Sequence, residues 1–192
     1  MTKVLFNIKK LQMSPITAMT ADGLPTYASP IKVPGTVSLK LDQEGESEPF
    51  YADGIAYFSA PASTMYTGSL ENAHFPPEVL KAIYAYIEDN NLNLVETDDP
   101  VKEFGAQFAC DSDDGEVYFT LYRVSSTKPN INLQTKESKA TINGESVNIT
   151  VSPVVLADGK TVIKSFANKE ASNYSDYFSK IELPSFTPSA GA

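Results

Sequence analysis

The 192-residue chain has no tryptophan, one cysteine and one histidine. A lone Cys110 excludes an intrachain disulfide, and within Phe108-Ala109-Cys110 it reads as a small buried hydrophobe rather than a reactive thiol. A lone His74 excludes zinc sites built on a histidine pair, and a Cys-His dyad would have to join two residues from quite different contexts. No apolar run approaches the ~20 residues that a membrane helix needs. Residues 1–10 alternate apolar and charged side chains, with neither the uninterrupted apolar core nor the small-residue cleavage site of a secretory signal. The expectation is a protein made and folded in a cytoplasm, where the Asn-x-Ser/Thr triplets at Asn148 and Asn173 have no meaning. Glycine-rich phosphate loops and nucleophile elbows are missing too, and no spacing singles out a carboxylate pair as acid and base. The chain therefore reads as non-catalytic, with no cofactor and no metal.

Basic residues are the other shortage. Fifteen Lys and Arg face 24 Asp and Glu, a formal charge of −9 that is unevenly placed: +4 in residues 1–40, −14 in 41–124 and +1 in 125–192. Such a field repels nucleic-acid phosphates and argues against DNA binding through a basic patch.

What is present is mainly β patterning. A hydrophobic content of 42% and this length suit one domain with a substantial core, over residues 1–183, followed by a Pro/Ser/Gly/Ala-rich tail at 184–192 that is expected to fray. Residues 4–13 predict a first strand. Residues 14–34, with Pro15, Pro25 and Pro30 and an Asp22-Gly23 turn, show little periodicity and predict a long arm or loop. Strict alternation over 36–41 and a second apolar run over 49–58 predict a hairpin whose tip, 42–48, is acidic. A helix is predicted over 76–89: Pro76 and Pro77 tolerate a first turn, Glu78 suits the positive end of the dipole, and Leu80, Ile83, Tyr84 and Ile87 repeat at helical spacing as its packing face. Residues 104–110 and 116–124 predict the clearest hairpin, closed by Asp114-Gly115. Its acidic loop lacks the ligand spacing and flanking helices of a calcium hand. Further strands are predicted at 130–134, 139–143, 146–152 and 161–166, with turns at Asn143-Gly144 and Asp158-Gly159.

Taken in order, several of these segments resemble a known family. They are Phe50-Tyr51-Ala52-Asp53-Gly54; Tyr66-Thr67-Gly68-Ser69-Leu70-Glu71 leading into the helix; Phe104-Gly105-Ala106-Gln107-Phe108-Ala109; Tyr118-Phe119-Thr120-Leu121-Tyr122-Arg123-Val124; and Glu145-Ser146-Val147-Asn148-Ile149-Thr150-Val151-Ser152-Pro153. Together they resemble the major tail proteins, or tail tube proteins, of long non-contractile-tailed phages of Gram-positive bacteria. Residues 14–34 and those after Phe166 carry no such marks.

The resemblance implies a β-sandwich or barrel-like fold with one flanking helix and long excursions, assembling into hexameric rings that stack into a tube for genome delivery. It implies a virion protein whose partners are itself and other tail proteins such as the tape measure, tail terminator and distal tail protein, with DNA passing the lumen without specific binding. Self-assembly or lumen candidates are Asp42, Glu44, Gly45, Glu46, Glu48 and Asp53, which occupy or flank the acidic hairpin. Two rivals are a carbohydrate-binding β-sandwich, which would usually show tryptophan platforms and an export signal, and a small all-β hydrolase, which would need a placed acid/base pair.

Overall fold

The computed structural model describes residues 4–45, 49–52, 55–59, 64–131 and 144–186. The first strands are β1 (Leu5–Met19), β2 (Pro25–Tyr27), β3 (Ile31–Lys32), β4 (Thr36–Glu44), β5 (Pro49–Ala52), β6 (Ile55–Ser59) and β7 (Met65–Asn72). Helix α1 (Pro77–Ala82) follows, then β8 (Tyr86–Glu88), β9 (Leu94–Glu96), β10 (Phe104–Ser112), β11 (Gly115–Ser126) and β12 (Asn130–Ile131). The chain closes with β13 (Glu145–Val151), β14 (Val154–Val155), β15 (Thr161–Val162), β16 (Lys164–Ala167) and a 3-10 turn at Tyr174–Asp176.

The protein is mainly β, sandwich-like, with one short α-helix among the described residues. Its main antiparallel sheet runs β2-β1-β10-β11-β13-β7-β4, with β3 beside β1, β12 beside β13 and β16 beside β11. Within it, the edge of β11 away from β10 has two partners. Residues Tyr118, Phe119, Thr120 and Leu121 pair with β16, and Val124, Ser125 and Ser126 pair with β13.

The hairpin β10–β11 carries the core, and its sequence is apolar on both faces because both are covered. On the inner side Phe104, Ala106, Phe108, Leu121 and Val124 meet Phe75, Val79, Ile83 and Tyr84 around the helix and Val147, Ile149 and Val151 of β13. On the outer side the segment after β16 lies across the sheet. Tyr177 packs on Ala109 and Tyr118, and Ile181 packs on Tyr122. Gly105 makes this second layer possible, since a β-carbon there would meet Ile181 Cδ1 at 2.4 Å and Tyr27 Cε1 at 2.8 Å.

Two buried glutamines read as errors in a core until the outer layer is considered. Gln12, Gln107 and Thr120 are cross-strand partners on β1, β10 and β11. Gln12 Nε2 donates to Gln107 Oε1 (2.9 Å) and to the Phe178 carbonyl (2.8 Å), Gln107 Nε2 donates to the Tyr177 carbonyl (2.7 Å), and Thr120 Oγ1 donates to Tyr177 Oη (2.8 Å). The glutamines thus satisfy backbone carbonyls of a segment that has no ladder of its own.

Three sequence expectations need correction. Residues 14–34 are not an arm: β1 continues through Met19, and the chain returns as β2 and β3 along its edge. Prolines are tolerated there because Pro15 keeps an acceptor for the Ala28 amide, while Pro25 starts a three-residue edge strand. The helix stops at Ala82 rather than 89. Ala85 adopts a left-handed φ of 60°, and the carbonyls that would continue the helix are taken from elsewhere: Lys102 N donates to Ile83 O (2.9 Å), and Thr97 donates to Ala85 O through its amide (3.2 Å) and Oγ1 (2.8 Å). Leu80, Ile83 and Tyr84 are buried as expected, but Ile87 sits on β8 with 56% of its surface exposed. Third, the strand at 36–44 does not pair with the run at 49–58. It pairs with β7, whereas β5 pairs with β6. Strand β7 supplies what β4 needs, Leu70 opposite Leu39 and Gly68 opposite Leu41, so that both β4 leucines face the core.

The other expectations fare simply. The 104–124 hairpin is present, with a two-residue Asp113-Asp114 turn and Gly115 at φ 112°. The 146–152 strand is β13, the 161–166 strand splits into β15 and β16, and Gly159 (φ 81°) closes the β14–β15 turn. Only Asn130–Ile131 of the 130–134 strand is in a described ladder; 139–143 lies outside the described residues. In the tail, 187–192 lies outside them as well.

The buried phenol of Tyr84 gives a prediction. Burial raises its pKa to about 12, and the nearby Ser126 moderates that rise, yet neither Tyr84 Oη nor Ser126 Oγ has a hydrogen bond of acceptable geometry among the described residues. Tyr84→Phe should therefore change stability by less than about 1 kcal/mol, because the lost hydroxyl had little net bonding to lose. Chemical denaturation of the two chains checks this, and a loss of several kcal/mol would show that the hydroxyl is bonded in solution.

Candidate assembly surface

Of the sequence candidates, Asp42 and Glu44 lie on β4, the last strand in the main sheet's order. Among the described residues β4 is bonded only to β7, from Thr36 opposite Asn72 to Glu44 opposite Met65, so its other edge has no ladder partner there, although β1 passes close by. Asp42 and Glu44 are exposed on this strand. Lys40 Nζ approaches Asp42 Oδ2 at 2.6 Å, and Thr67 Oγ1 donates to Glu44 Oε1 at 2.5 Å from β7. Gly45 follows the strand at φ 139°. Glu46, Glu48 and Asp53 lie outside the described residues. Thus the structure brings Asp42 and Glu44 together on a sheet edge, while the helix candidates Leu80, Ile83 and Tyr84 belong to the core.

The other end of the sheet was not legible as a site. Over Leu5, Phe6, Ile8 and Lys9 strand β1 pairs with β10, and its far edge has no described partner until Leu11 O accepts the Val33 amide. Asn7 and Lys10, both at φ 56°, mark irregularities in this pairing. They set up an ionic clasp across the sheet: Lys9 Nζ meets Asp111 Oδ1 (2.5 Å) and Glu116 Oε1 (2.8 Å), Lys10 Nζ meets Glu116 Oε2 (2.5 Å), and Asn7 Nδ2 donates to Asp111 (2.7 Å). The only sequence signal was the lysine pair itself, within a segment that read simply as the first strand.

This clasp is pH-dependent. The Lys10 and Lys9 ammonium groups hold the Glu116 carboxyl down to about 2, and Lys9 with Asn7 lowers Asp111. Both carboxyls are depressed on folding, so their contribution is present above an ordinary glutamate value of 4.5 and is lost as pH falls toward 2. Glu116→Gln should flatten the acid limb of the stability profile between these values, as followed by denaturant titration at successive pH. An unchanged acid limb would mean that the clasp does not form in solution.

Exposed apolar side chains cluster away from the core. Val4 precedes β1, Leu5 and Phe6 open it, and Val37 lies on β4. Ile87 faces Val95 across the β8–β9 hairpin, with Leu92 77% exposed at its tip. Phe108, Phe119 and Phe166 form a ring ladder across β10, β11 and β16, with centroids 5.2 and 6.1 Å apart, ending on an exposed Phe166. Single exposed hydrophobes are ordinary, but groups of them beside open strand edges suit contact with other chains.

Chemistry finds less to work with. Cys110 is partly buried, and burial together with Asp111 pushes its thiol up, the wrong direction for a nucleophile. His74 Nδ1 lies 2.8 Å from Glu145 Oε1, whose other oxygen accepts the Phe75 amide (2.8 Å); this ties the approach to α1 to the start of β13. No cluster of three metal-ligating side chains occurs among the described residues, and no helix there is long and apolar enough to cross a membrane. The chain matches no known protein-family model, and no curated protein matches its sequence.

Proposed function

We propose that this chain is a structural virion protein, the subunit of a phage tail tube of the long non-contractile type, which self-assembles into stacked hexameric rings. The observation that carries the reading is the main sheet whose strands β1, at Leu5–Lys10, and β4, at Thr36–Glu44, are each hydrogen-bonded to one strand alone among the described residues. A protein that works as a monomer protects such edges, whereas a ring subunit uses them. The ordered family-like segments in the sequence support the same reading. In this role the protein has no catalytic residue, takes no cofactor, and meets copies of itself, the tape measure, the tail terminator and the distal tail protein.

The conduit is electrostatic. Six copies at −9 each give a ring −54 formal charges. Carboxylates along its inner wall keep phosphates from adhering, so DNA passes without specific binding. Asp42 and Glu44 on the exposed face of β4, with Glu46, Glu48 and Asp53 following in sequence, are the candidates for that wall or for the junction between rings.

Replacing Glu44 and Glu46 by lysine tests the acidic wall, because each substitution reverses a unit charge and a ring gains +24. Assembled wild-type particles should not retain double-stranded DNA, whereas the variant should retain it or should stack with a new dependence on salt, set by a screening length of about 10 Å at 0.1 M. Wild-type behaviour in both assays at every salt concentration would place these carboxylates on a solvated outer face.

A further inference from the structure

The two faces of the β10–β11 hairpin are covered in unlike ways. The inner cover is continuous apolar packing, whereas the outer cover, residues 168–183, is a strap that contains no strand. The main-chain hydrogen bonds described for this strap run within it: Ala171 N donates to Asn168 O, Tyr174 N to Ala171 O, Asp176 N to Asn173 O and Ser179 N to Asp176 O. Side chains tie it to the sheet. Lys169 meets Asp114 at the β10–β11 turn (2.7 Å), Tyr174 Oη donates to the Glu116 carbonyl (3.1 Å), and the two glutamines hold the carbonyls of Tyr177 and Phe178. Of the strap's own side chains only Tyr177 and Ile181 are buried. It is also undercut on both sides. A cavity of about 610 Å³ lies between β1, residues 32–36 and Phe178, and another of about 920 Å³ lies between β11, β16 and the strap.

We infer that residues 168–183 are a reversible cover, which lifts from the outer face as one unit, hinged at Asn168 directly after β16, while the inner core stays folded. The surface beneath it suits such an exchange. Polar groups of Gln12, Gln107, Thr120 and Ser165 lie there among Gly105 and Ala109, with no aliphatic side chain larger than alanine from β10, β11 or β16 in this set. When the strap lifts, Gln12 Nε2 keeps its bond to Gln107 Oε1 (2.9 Å), and Tyr122 Oη keeps its bond to Ser165 Oγ (2.7 Å), because neither bond involves the strap. Water replaces the strap carbonyls, so no donor is orphaned as it would be inside the inner core. Local opening of this kind draws on the units with the fewest buried contacts and no ladder. The consequence is a gate. Closed, the strap buries Tyr118 and Tyr122 and forms a wall of both cavities. Open, it leaves the tyrosines and the glutamine pair facing solvent on one uncovered surface. The device does not depend on what the chain assembles with.

Native-state proteolysis of the full chain tests this. Chymotrypsin needs several residues of free backbone, so it cuts after Tyr177 or Phe178 only when the strap is lifted. In sub-denaturing urea that cut, located by mass spectrometry, should report an opening at least about a hundredfold more frequent than the one that exchanges the Val147 and Ile149 amides of β13. Ile181→Ala removes an apolar anchor and should speed the cut about tenfold with β13 exchange unchanged. Gly105→Ala, which sets a β-carbon 2.4 Å from Ile181 Cδ1, should speed it from the sheet side. A cut that needs as much urea as global unfolding would overturn the inference. So would equal cleavage of wild type and Ile181→Ala, or faster cleavage of Ile181→Ala accompanied by an equal rise in β13 exchange.

Discussion

Gly68→Val is expected to cost about 3 kcal/mol or more and to detach β4 from the rest of the sheet. Gly68 stands on β7 with Leu41 on one side and Ile149 on the other. A β-carbon built there lies 1.8 Å from the Lys40 carbonyl oxygen and 2.7 Å from its carbon, both backbone atoms that cannot swing aside as a side-chain terminus can. The strands would have to separate, breaking a ladder that runs from Thr36 to Glu44 and uncovering Leu39 and Leu41, which pack on the core. Thermal unfolding and the dispersion of amide signals from 36–44 check this together. A variant with a wild-type melting temperature and intact β4 signals would show that the approach of the two backbones is looser than described.

Ile83→Asp should be as severe, on the order of 3 kcal/mol or more, for a different reason. Ile83 is fully buried beside Phe75, Val79 and Tyr84, with no cation in that cluster to receive a carboxylate. The side chain must either ionise in an apolar site or stay protonated, and both cost stability. Because protonation lessens the cost, the variant should recover part of its stability as pH falls toward the aspartate range. An unchanged melting temperature would contradict the burial of this face. By contrast, Ile87 belongs to the same sequence periodicity but is exposed on β8, so Ile87→Asp should leave unfolding within about 0.5 kcal/mol of wild type.

The contrast between Ile83 and Ile87 shows where the sequence was readable. Helical spacing identified Leu80, Ile83 and Tyr84 as core correctly, because burial follows periodicity over one turn and more. It could not report that Lys102 and Thr97 take the carbonyls of Ile83 and Ala85, since those bonds join residues distant in sequence. The hairpin β10–β11 was legible from its two apolar runs and the Asp-Gly turn between them. The partner of β4 was not, because several strands offered an apolar face and only the close approach at Gly68 distinguishes β7. Residues 14–34 were read by their prolines as irregular, although an edge strand tolerates the missing amides. For the candidate surface, composition located the acidic stretch, and Asp42 and Glu44 are exposed on β4; which strand edges stay unpaired among the described residues is stated by no local pattern.

The most direct test of the central claim is negative-stain electron microscopy of the purified full chain across a concentration series. The account predicts six-membered rings of one diameter that stack, as concentration rises, into hollow tubes with a regular axial repeat. Uniform single subunits at every concentration and salt condition would contradict it.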